Sequence, residues 1–371
     1  MLWLNEGDMP ALALGASILG AGGGGDPSLG RIMACRALER RGPVRLLSPH
    51  EVPDDALIVP VGVIGAPVVM SEKLPVGDEV VRAVSALEEH LGRRAAAIMP
   101  IECGGVNALL PVVAAAEKRL PLIDADGMGR AFPELQMVSY HIYGLRGSPC
   151  VLCDERGATV LLEAPDNLAL ERLVRDQVVR MGGVGYAAVY SMSGADMKET
   201  ALPGTLSLAL RLGRAVEGAL AGKCDVLTAL REVTANSTYG PAVVLFRGKV
   251  VEVTRTVVDG FSRGRVVLEG VRQYQGKTCE VTVQNENLMA QVDGCTVVTV
   301  PDIIALVDMD SGFPLTNDEL RYGYRVTVLG IPTPEMTRTP QALEVWGPRA
   351  FGLDEPYVPL EPARGGWEGA L

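Results

Sequence analysis

Several short stretches place carboxylates, a thiol and glycines where they could do chemistry. In "PLIDADGMGRAFPELQM" (121–137) an apolar run ends on Asp124 and Asp126, followed by a glycine-rich turn, Arg130 and Glu134. Two carboxylates two residues apart at a strand end face the same side. Crowding of that kind pushes one pKa up, which supplies an acid and a base near neutrality. Each aspartate also has a plainer use, one as a helix cap and the other as a partner for Arg130. "MPIECGGVN" (99–107) repeats the arrangement with Glu102, Cys103 and Asn107. Cys103 acts as a nucleophile only with a lowered pKa and a base beside it, and is otherwise a small buried side chain. "GAPVVMSEKLP" (65–75) sets Glu72 and Lys73 after another apolar segment, a solvated charge pair in the plainer reading. His141, in "SYHIYG", is a ligand-contacting residue or a satisfied core histidine.

A different signal lies in "GAGGGGDPSLG" (20–30), where Gly22, Gly23, Gly24 and Gly25 are consecutive and Asp26 follows. Glycine loses more backbone entropy on folding than any other residue, so the run must serve a purpose. The segment before it reads as a helix, not a strand, and no Gly-Lys-Ser/Thr follows, so neither nucleotide-binding fingerprint fits. Two purposes remain. The free N–H groups, with a helix N-terminus, can hold an anion or a carbonyl, or the glycines can permit a tight helix crossing. Asp26 and Pro27 fit the start of the next helix, with Asp26 as its cap.

The elements that must position these groups follow from periodicity. Helices are expected over 8–20, from Asp26 to 42, over 77–92, 106–119, 165–183 and 201–220. Short apolar runs at 44–48, 56–65, 94–102, 119–127 and 158–164 alternate with the first of them. That alternation predicts an α/β domain over 1–165, with a parallel or mixed sheet and flanking helices. From about 240 to 330 strand alternation with glycine turns takes over, which predicts a β-rich second domain with additional helices over 166–371, sandwich or barrel-like. Glycines and carboxylates recur at successive strand ends of the first domain, where one crevice can collect them.

The 371 residues carry a net charge of −11 and no basic run, which argues against a nucleic-acid partner. The sequence is 48% hydrophobic but only 5% aromatic, so its cores are aliphatic. The longest apolar stretch (56–70) holds Pro60 and Pro67 and falls short of the ~20 residues that span a bilayer, and no membrane partner is expected. No signal peptide is visible, and the seven cysteines are irregularly spaced, so the expectation is a cytoplasmic protein with reduced thiols. The one CxxC, Cys150–Cys153, reads as two small residues of a strand. A homo-oligomer is expected from the base rate of symmetric assembly.

"LGAGGGGDPSLG", "GAPVVMSEKLP", "IECGGVNAL" and "DADGMGRAFPELQM" resemble the signature segments of the S-methyl thiohydantoin desulfurase family. "ALPGTLSLALRLGRAV", "LRYGYRVTVLGIP" and "GPRAFGLDEP" are similar to its second domain, so the resemblance covers nearly the whole chain. Ser28 and Cys103 depart from the family pattern. The resemblance implies hydrolysis of an S-methylated thiohydantoin to a hydantoin and methanethiol, with no cofactor required. It also implies a link to hydantoinase/oxoprolinase proteins, as possible partner subunits. On that chemistry Asp124 and Asp126 would be base and acid, with Glu134, Glu102 and Cys103 as further catalytic candidates. Arg130 and the amides of Gly22–Gly25, beside Asp26, would hold a ring oxygen or carboxylate. Asn107 and Glu102 would bond ring N–H groups, with Glu72, Lys73 and His141 lining the substrate. Two alternatives differ in class. One is a metal-dependent amidohydrolase with Asp124, Asp126, Glu134 and His141 on Mg or Mn. The other is a non-catalytic accessory subunit of a hydantoinase system.

Overall fold

A computed structural model describes residues 2–360, apart from 66–68, 70, 71, 74, 259 and 260. The chain forms two compact units. One comprises Met1–Ala13, Gly25–Gly129 and Glu134–Ser207; the other comprises Leu14–Gly24, Arg130–Pro133 and Leu208–Leu371.

The first unit is built on β1 (Leu2–Leu4), β2 (Val44–Leu47), β3 (Leu57–Gly65), β4 (Ala97–Pro100), β5 (Leu122–Ile123), β6 (Ala125–Asp126), β7 (Cys150–Cys153), β8 (Thr159–Leu162), β9 (Val184–Ala188), β10 (Met192–Ser193) and β11 (Leu202–Pro203). Its main sheet runs β1-β2-β5-β4-β3-β9-β7-β8, with β10 also on β3. The inner strands β2, β5, β4 and β3 are parallel, and the flanking pairs are antiparallel, so the sheet is mixed. β3 is buried from Leu57 to Gly62, which is why it reads as a continuous apolar run. Helices Pro27–Arg41, Glu79–Leu91, Leu110–Lys118 and Asn167–Arg180 flank it, two of them starting on the aspartate caps Asp26 and Asp166. Asp26 accepts from the Ser28 amide at 2.8 Å, with Pro27 at the first helical position.

Strand β9 sits at the centre of this sheet although it lies beyond residue 165. The first compact unit therefore runs on to Ser207, because a strand can pair across a long sequence separation.

The second unit holds β12 (Val243–Val258), β13 (Phe261–Gly270), β14 (Thr278–Gln284), β15 (Glu286–Val292), β16 (Cys295–Thr299), β17 (Ile303–Asp308), β18 (Pro314–Leu315) and β19 (Arg325–Ile331). They form one antiparallel sheet in the order β16-β15-β14-β13-β12-β19-β17-β18. Its core is aliphatic, with Phe246 and Tyr274 as the aromatic members. Phe132 stacks on Trp346 with centroids 5.3 Å apart, and Trp346 is fully buried.

The CxxC segment is β7, all four residues buried, and all seven cysteines are free. Three residues apart on a strand, the two thiols point to opposite faces, so the spacing builds neither a disulfide nor a zinc pair.

Candidate active site

In the first unit the parallel strands deliver their carboxyl ends side by side, and the candidate residues sit there. The chain leaves β4 into Glu102 and Cys103, and leaves β5 through Asp124 into β6. The Gly127 amide donates to the Ile101 carbonyl at 3.0 Å, tying the two strand ends together. Asp126 is fully buried; its Oδ2 accepts from the amides of Cys103 (2.9 Å), Gly129 (2.9 Å) and Met128 (3.2 Å). Its Oδ1 is buried without a hydrogen-bond partner among the described residues, although the Thr205 side chain lies close enough to favour the ionised form. Desolvation dominates and raises the pKa to about 6, against the pull of the amides and Thr205. The elevation is thus a burial effect. The expectation that crowding by Asp124 produces it is corrected, because burial, and not a neighbouring charge, is the largest cause of the rise.

Asp124 faces elsewhere. Its carboxylate accepts from the Ser207 amide at 2.9 Å and from the Ser207 hydroxyl, at the first turn of helix Thr205–Leu220. The two aspartates straddle the bend between β5 and β6, which belong to different sheets, so the two-residue periodicity that aligns side chains on a straight strand does not hold across it.

Asn107 closes the same end of the sheet. Its Oδ1 accepts from the Val63 amide (2.6 Å) and its Nδ2 donates to the Val63 carbonyl (3.1 Å) and to Glu102 Oε1 (2.6 Å). The side chain takes the place of a strand neighbour where β4 has ended and β3 continues, and it fixes the buried Glu102 beside Cys103. The Cys103 thiol is fully buried, and burial together with Asp126 pushes its pKa well up. It is a neutral thiol at physiological pH, the opposite of an activated nucleophile. Tyr140 completes the wall: its ring lies against Gly127, where a methyl group would come within 2.6 Å of it, and burial and Asp126 keep the phenol protonated.

The remaining candidates of this unit are dispersed. His141 Nδ1 meets Asn167 Nδ2 at 3.0 Å, and burial lowers its pKa, so it is neutral. Glu134 accepts from Gln136. Glu72 is exposed, and Lys73 is paired with Glu155 at 2.9 Å and donates to the Met181 carbonyl at 2.8 Å. Among the described residues no three His, Cys, Asp or Glu side chains gather as a metal site, so the set Asp124, Asp126, Glu134 and His141 is not assembled as ligands.

Gly22–Gly24 and Arg130 belong to the second unit, and Gly25 with Asp26 opens the next stretch of the first. Helix Met9–Leu19 ends in a turn closed by Gly23 N to Gly20 O (2.8 Å), with Ala21 at φ +49° and Gly22 at +85°. The loop's carbonyls are taken by its own unit: Ala21 O by the Asn287 amide and Gly22 O by the Asn317 amide, both at 2.8 Å. Its Gly24 amide bonds the buried carboxylate of Glu286. The amides expected to hold a ligand anion at Gly23 and Gly24 are therefore engaged by protein acceptors. Arg130 is likewise enclosed, donating to the main-chain carbonyls of Ala131 (3.2 Å), Asp302 (2.9 Å) and Asn287 (2.9 Å). Burial lowers its pKa to about 10, which leaves it charged.

Sequence reading missed Thr205, Tyr140 and the Glu286–Asn287–Asn317 group. A signal existed for the last: "QNEN" (284–287) is a polar tetrad between two apolar strands, and Gln284, Glu286 and Asn287 are all buried. Buried polar residues of that density need a reason.

The two sheets define a two-domain α/β protein with an N-terminal mixed sheet and a C-terminal antiparallel one. The S-Me-THD-like N-terminal domain model matches residues 7–164 and the C-terminal domain model residues 165–360. The chain belongs to that family, the S-methyl thiohydantoin desulfurase family. It is also similar to a crystal structure of a protein from Chromobacterium violaceum, with 25% identity and a TM-score of 0.80 over 97% of this chain and 100% of that one. Among curated proteins none matches. No helix among the described residues is long and apolar enough to cross a membrane.

Proposed function

We propose that this protein hydrolyses an S-methyl thiohydantoin or a related cyclic amidine, with Asp126 as the group that moves the proton. The observation that carries this reading is the state of that carboxylate. It is buried, its pKa is raised to about 6, one oxygen is fixed by three main-chain amides, and the other has no hydrogen-bond partner among the described residues, with the Thr205 side chain nearby. A base with that pKa is ionised at neutral pH, and its conjugate acid is strong enough to return the proton.

The chemistry balances with water alone. Ionised Asp126 takes a proton as water adds to the ring carbon that carries sulfur and is doubly bonded to nitrogen, and the new charge collects on that nitrogen. The nitrogen is protonated, the C–S bond breaks, and the departing thiolate receives the remaining proton. The products are methanethiol and a hydantoin. Asn107 and Glu102 stand at the same strand end and are proposed to orient the ring. Asp124 anchors helix Thr205–Leu220 beside them, a positioning role in this reading.

Asp126 is sealed from solvent, so turnover requires a step that opens the site. Hydrogen exchange at the Met128 and Gly129 amides reads that opening. The test of the reading is methanethiol release from a panel of S-methyl thiohydantoins. Asp126→Asn is expected to lose 10²–10⁴-fold in kcat with little change in hydantoin affinity, and wild-type kcat/KM is expected to rise with pH through about 6 as the carboxylate ionises. Normal turnover by the variant overturns the assignment. No turnover by the wild type, with capture by a hydantoinase subunit, leaves an accessory role. A homo-oligomer and a cytoplasmic location are part of the same proposal, and light scattering at the monomer mass overturns the first.

A further inference from the structure

One face of the antiparallel sheet in the second unit opens on a cavity of about 370 Å³ that the candidate active site does not use. Arg247 of β12, Thr327 of β19 and Val307 of β17 stand side by side in register and line it. Neighbours in register send their side chains to the same face of a sheet. The Val271 amide donates to the Arg247 carbonyl at 3.0 Å, which brings the next residue, Arg272, to the same cavity. Two guanidinium groups therefore share one space.

Among the described residues neither of these side chains makes a hydrogen bond or an ion pair, and Arg247 Nε is buried without a partner. A buried donor left unmet costs about 1–3 kcal/mol, and more when the group is charged. Arg272 carries a second cost. Its backbone lies in the left-handed region at φ +56°, which costs a residue with a Cβ about 1–2 kcal/mol. Strain of this kind collects at positions that bind something.

The charges around the cavity say what that something is. Three carboxylates, Asp225, Asp308 and Asp310, also line it, and each has its own partners. Asp225 Oδ2 accepts from the amide and the hydroxyl of Thr228, both at 2.9 Å. Asp308 Oδ1 accepts from the Asp310 amide (3.2 Å) and from the amide (2.8 Å) and hydroxyl (2.6 Å) of Ser311. Asp310 is paired with Arg325 at 3.2 Å. The three do not form a cation site either, since no metal-ligating cluster of His, Cys, Asp or Glu exists among the described residues. Two positive charges are left unbalanced. A dianion balances both, and a tetrahedral one presents separate oxygen pairs to two guanidinium forks. The cavity exceeds the size of a phosphate group, so a small organic remainder fits beside it.

We propose that Arg247 and Arg272 form a binding site for a phosphate-class dianion, taken as the free ion or as a small phosphate ester. The site lies wholly within the second unit and does not rest on the desulfurase reading.

The probes are inorganic phosphate, glycerol 3-phosphate, malonate and acetate, titrated calorimetrically into the full-length protein at about pH 7.5 and constant ionic strength, which holds screening equal. Phosphate is expected to saturate a single site and to bind at least tenfold more tightly than malonate or acetate. Tighter binding of glycerol 3-phosphate than of phosphate assigns the site to an ester, and the reverse order assigns it to the free ion; both orders support the site. Arg272→Gln and Arg247→Gln are each expected to weaken phosphate at least tenfold, the size for loss of a charge-assisted hydrogen bond. Arg263→Gln, on the exposed part of β13, removes the same charge elsewhere and is expected to leave the affinity unchanged. Absence of saturable phosphate binding overturns the proposal, and so does malonate binding as tight as phosphate. Unchanged affinity in a folded Arg272→Gln protein overturns it as well. An equal loss in Arg263→Gln does the same, since it marks a response to net charge alone. Arg272 is exposed, so its variant decides the matter even if Arg247→Gln fails to fold.

Discussion

The buried carboxylate of Asp126 gives this protein a pH dependence of unusual sign. An aspartate whose folded pKa is raised from 3.8 to about 6 holds its proton in the folded state where the unfolded chain has released it. Its contribution is unimpaired below pH 4 and turns into a penalty as pH rises through 6, by roughly 3 kcal/mol for about two pH units. Asp126→Asn removes the charge and keeps an oxygen that can accept from the Cys103, Met128 and Gly129 amides. The variant is therefore expected to melt with the wild type near pH 4 and a few degrees above it at pH 7.5, measured by calorimetry at both pH values. A variant less stable at pH 7.5 would show that burial does not govern this group. The identity of the carboxylate was visible in "DADG", since strand-end aspartates in an α/β protein stand where ligands bind. Which of the two aspartates is buried was not visible, because that depends on whether Cys103 and the 127–129 turn or Ser207 lies opposite. Cys103 shows the same limit. A cysteine next to a glutamate reads as reactive or inert equally well until its burial is known.

At the scale of elements, the sequence located most helices to within a few residues. Capping explains why: Asp26 and Asp166 start theirs by bonds to the amides of Ser28 and Ala169, and such local bonds leave a local signature. The tight helix crossing weighed for the four-glycine run occurs instead at Gly15, inside helix Met9–Leu19. A methyl group there would lie 1.7 Å from the Ala209 carbonyl oxygen of helix Thr205–Leu220. Propensity alone would make Gly15→Ala stabilising by ~0.5–1 kcal/mol. Backbone atoms cannot move aside as side chains do, so overpacking wins, and the substitution is expected to destabilise by about 2 kcal/mol or more. Gly92, with φ +60° and open space around it, is the control. Alanine there meets only the left-handed backbone penalty of about 1 kcal/mol. Denaturant titration of both variants checks the order, and a Gly15→Ala protein as stable as wild type would refute the close crossing.

The chain passes between its two units at residues 13/14, 24/25, 129/130, 133/134 and 207/208, so neither unit is one uninterrupted segment. A fragment of residues 1–165 ends where the family's first domain ends, but it lacks β9, which pairs with both β3 and β7 at the centre of the sheet. It is expected to show no dispersed amide spectrum and no cooperative melting. A fragment of 1–207 restores that strand and is the informative comparison. If 1–165 folds as well as 1–207, the central place of β9 is not essential. What the sequence by itself determined is everything set by neighbours along the chain: helix starts and stops, the β-rich texture from about 240, the absence of long basic or apolar runs, and the family signatures around the glycines and "DADGMGR". What only the tertiary structure decided is everything set by residues distant in sequence. The insertion of β9 beside β3 is one case. The meeting of Glu286, Asn287 and Asn317 under Gly22 and Gly23 is another, as is the sealing of Asp126 beneath Cys103. These depend on burial and on which main-chain amides lie opposite a carboxylate. Burial is a property of the whole packed unit, and no window of sequence contains it.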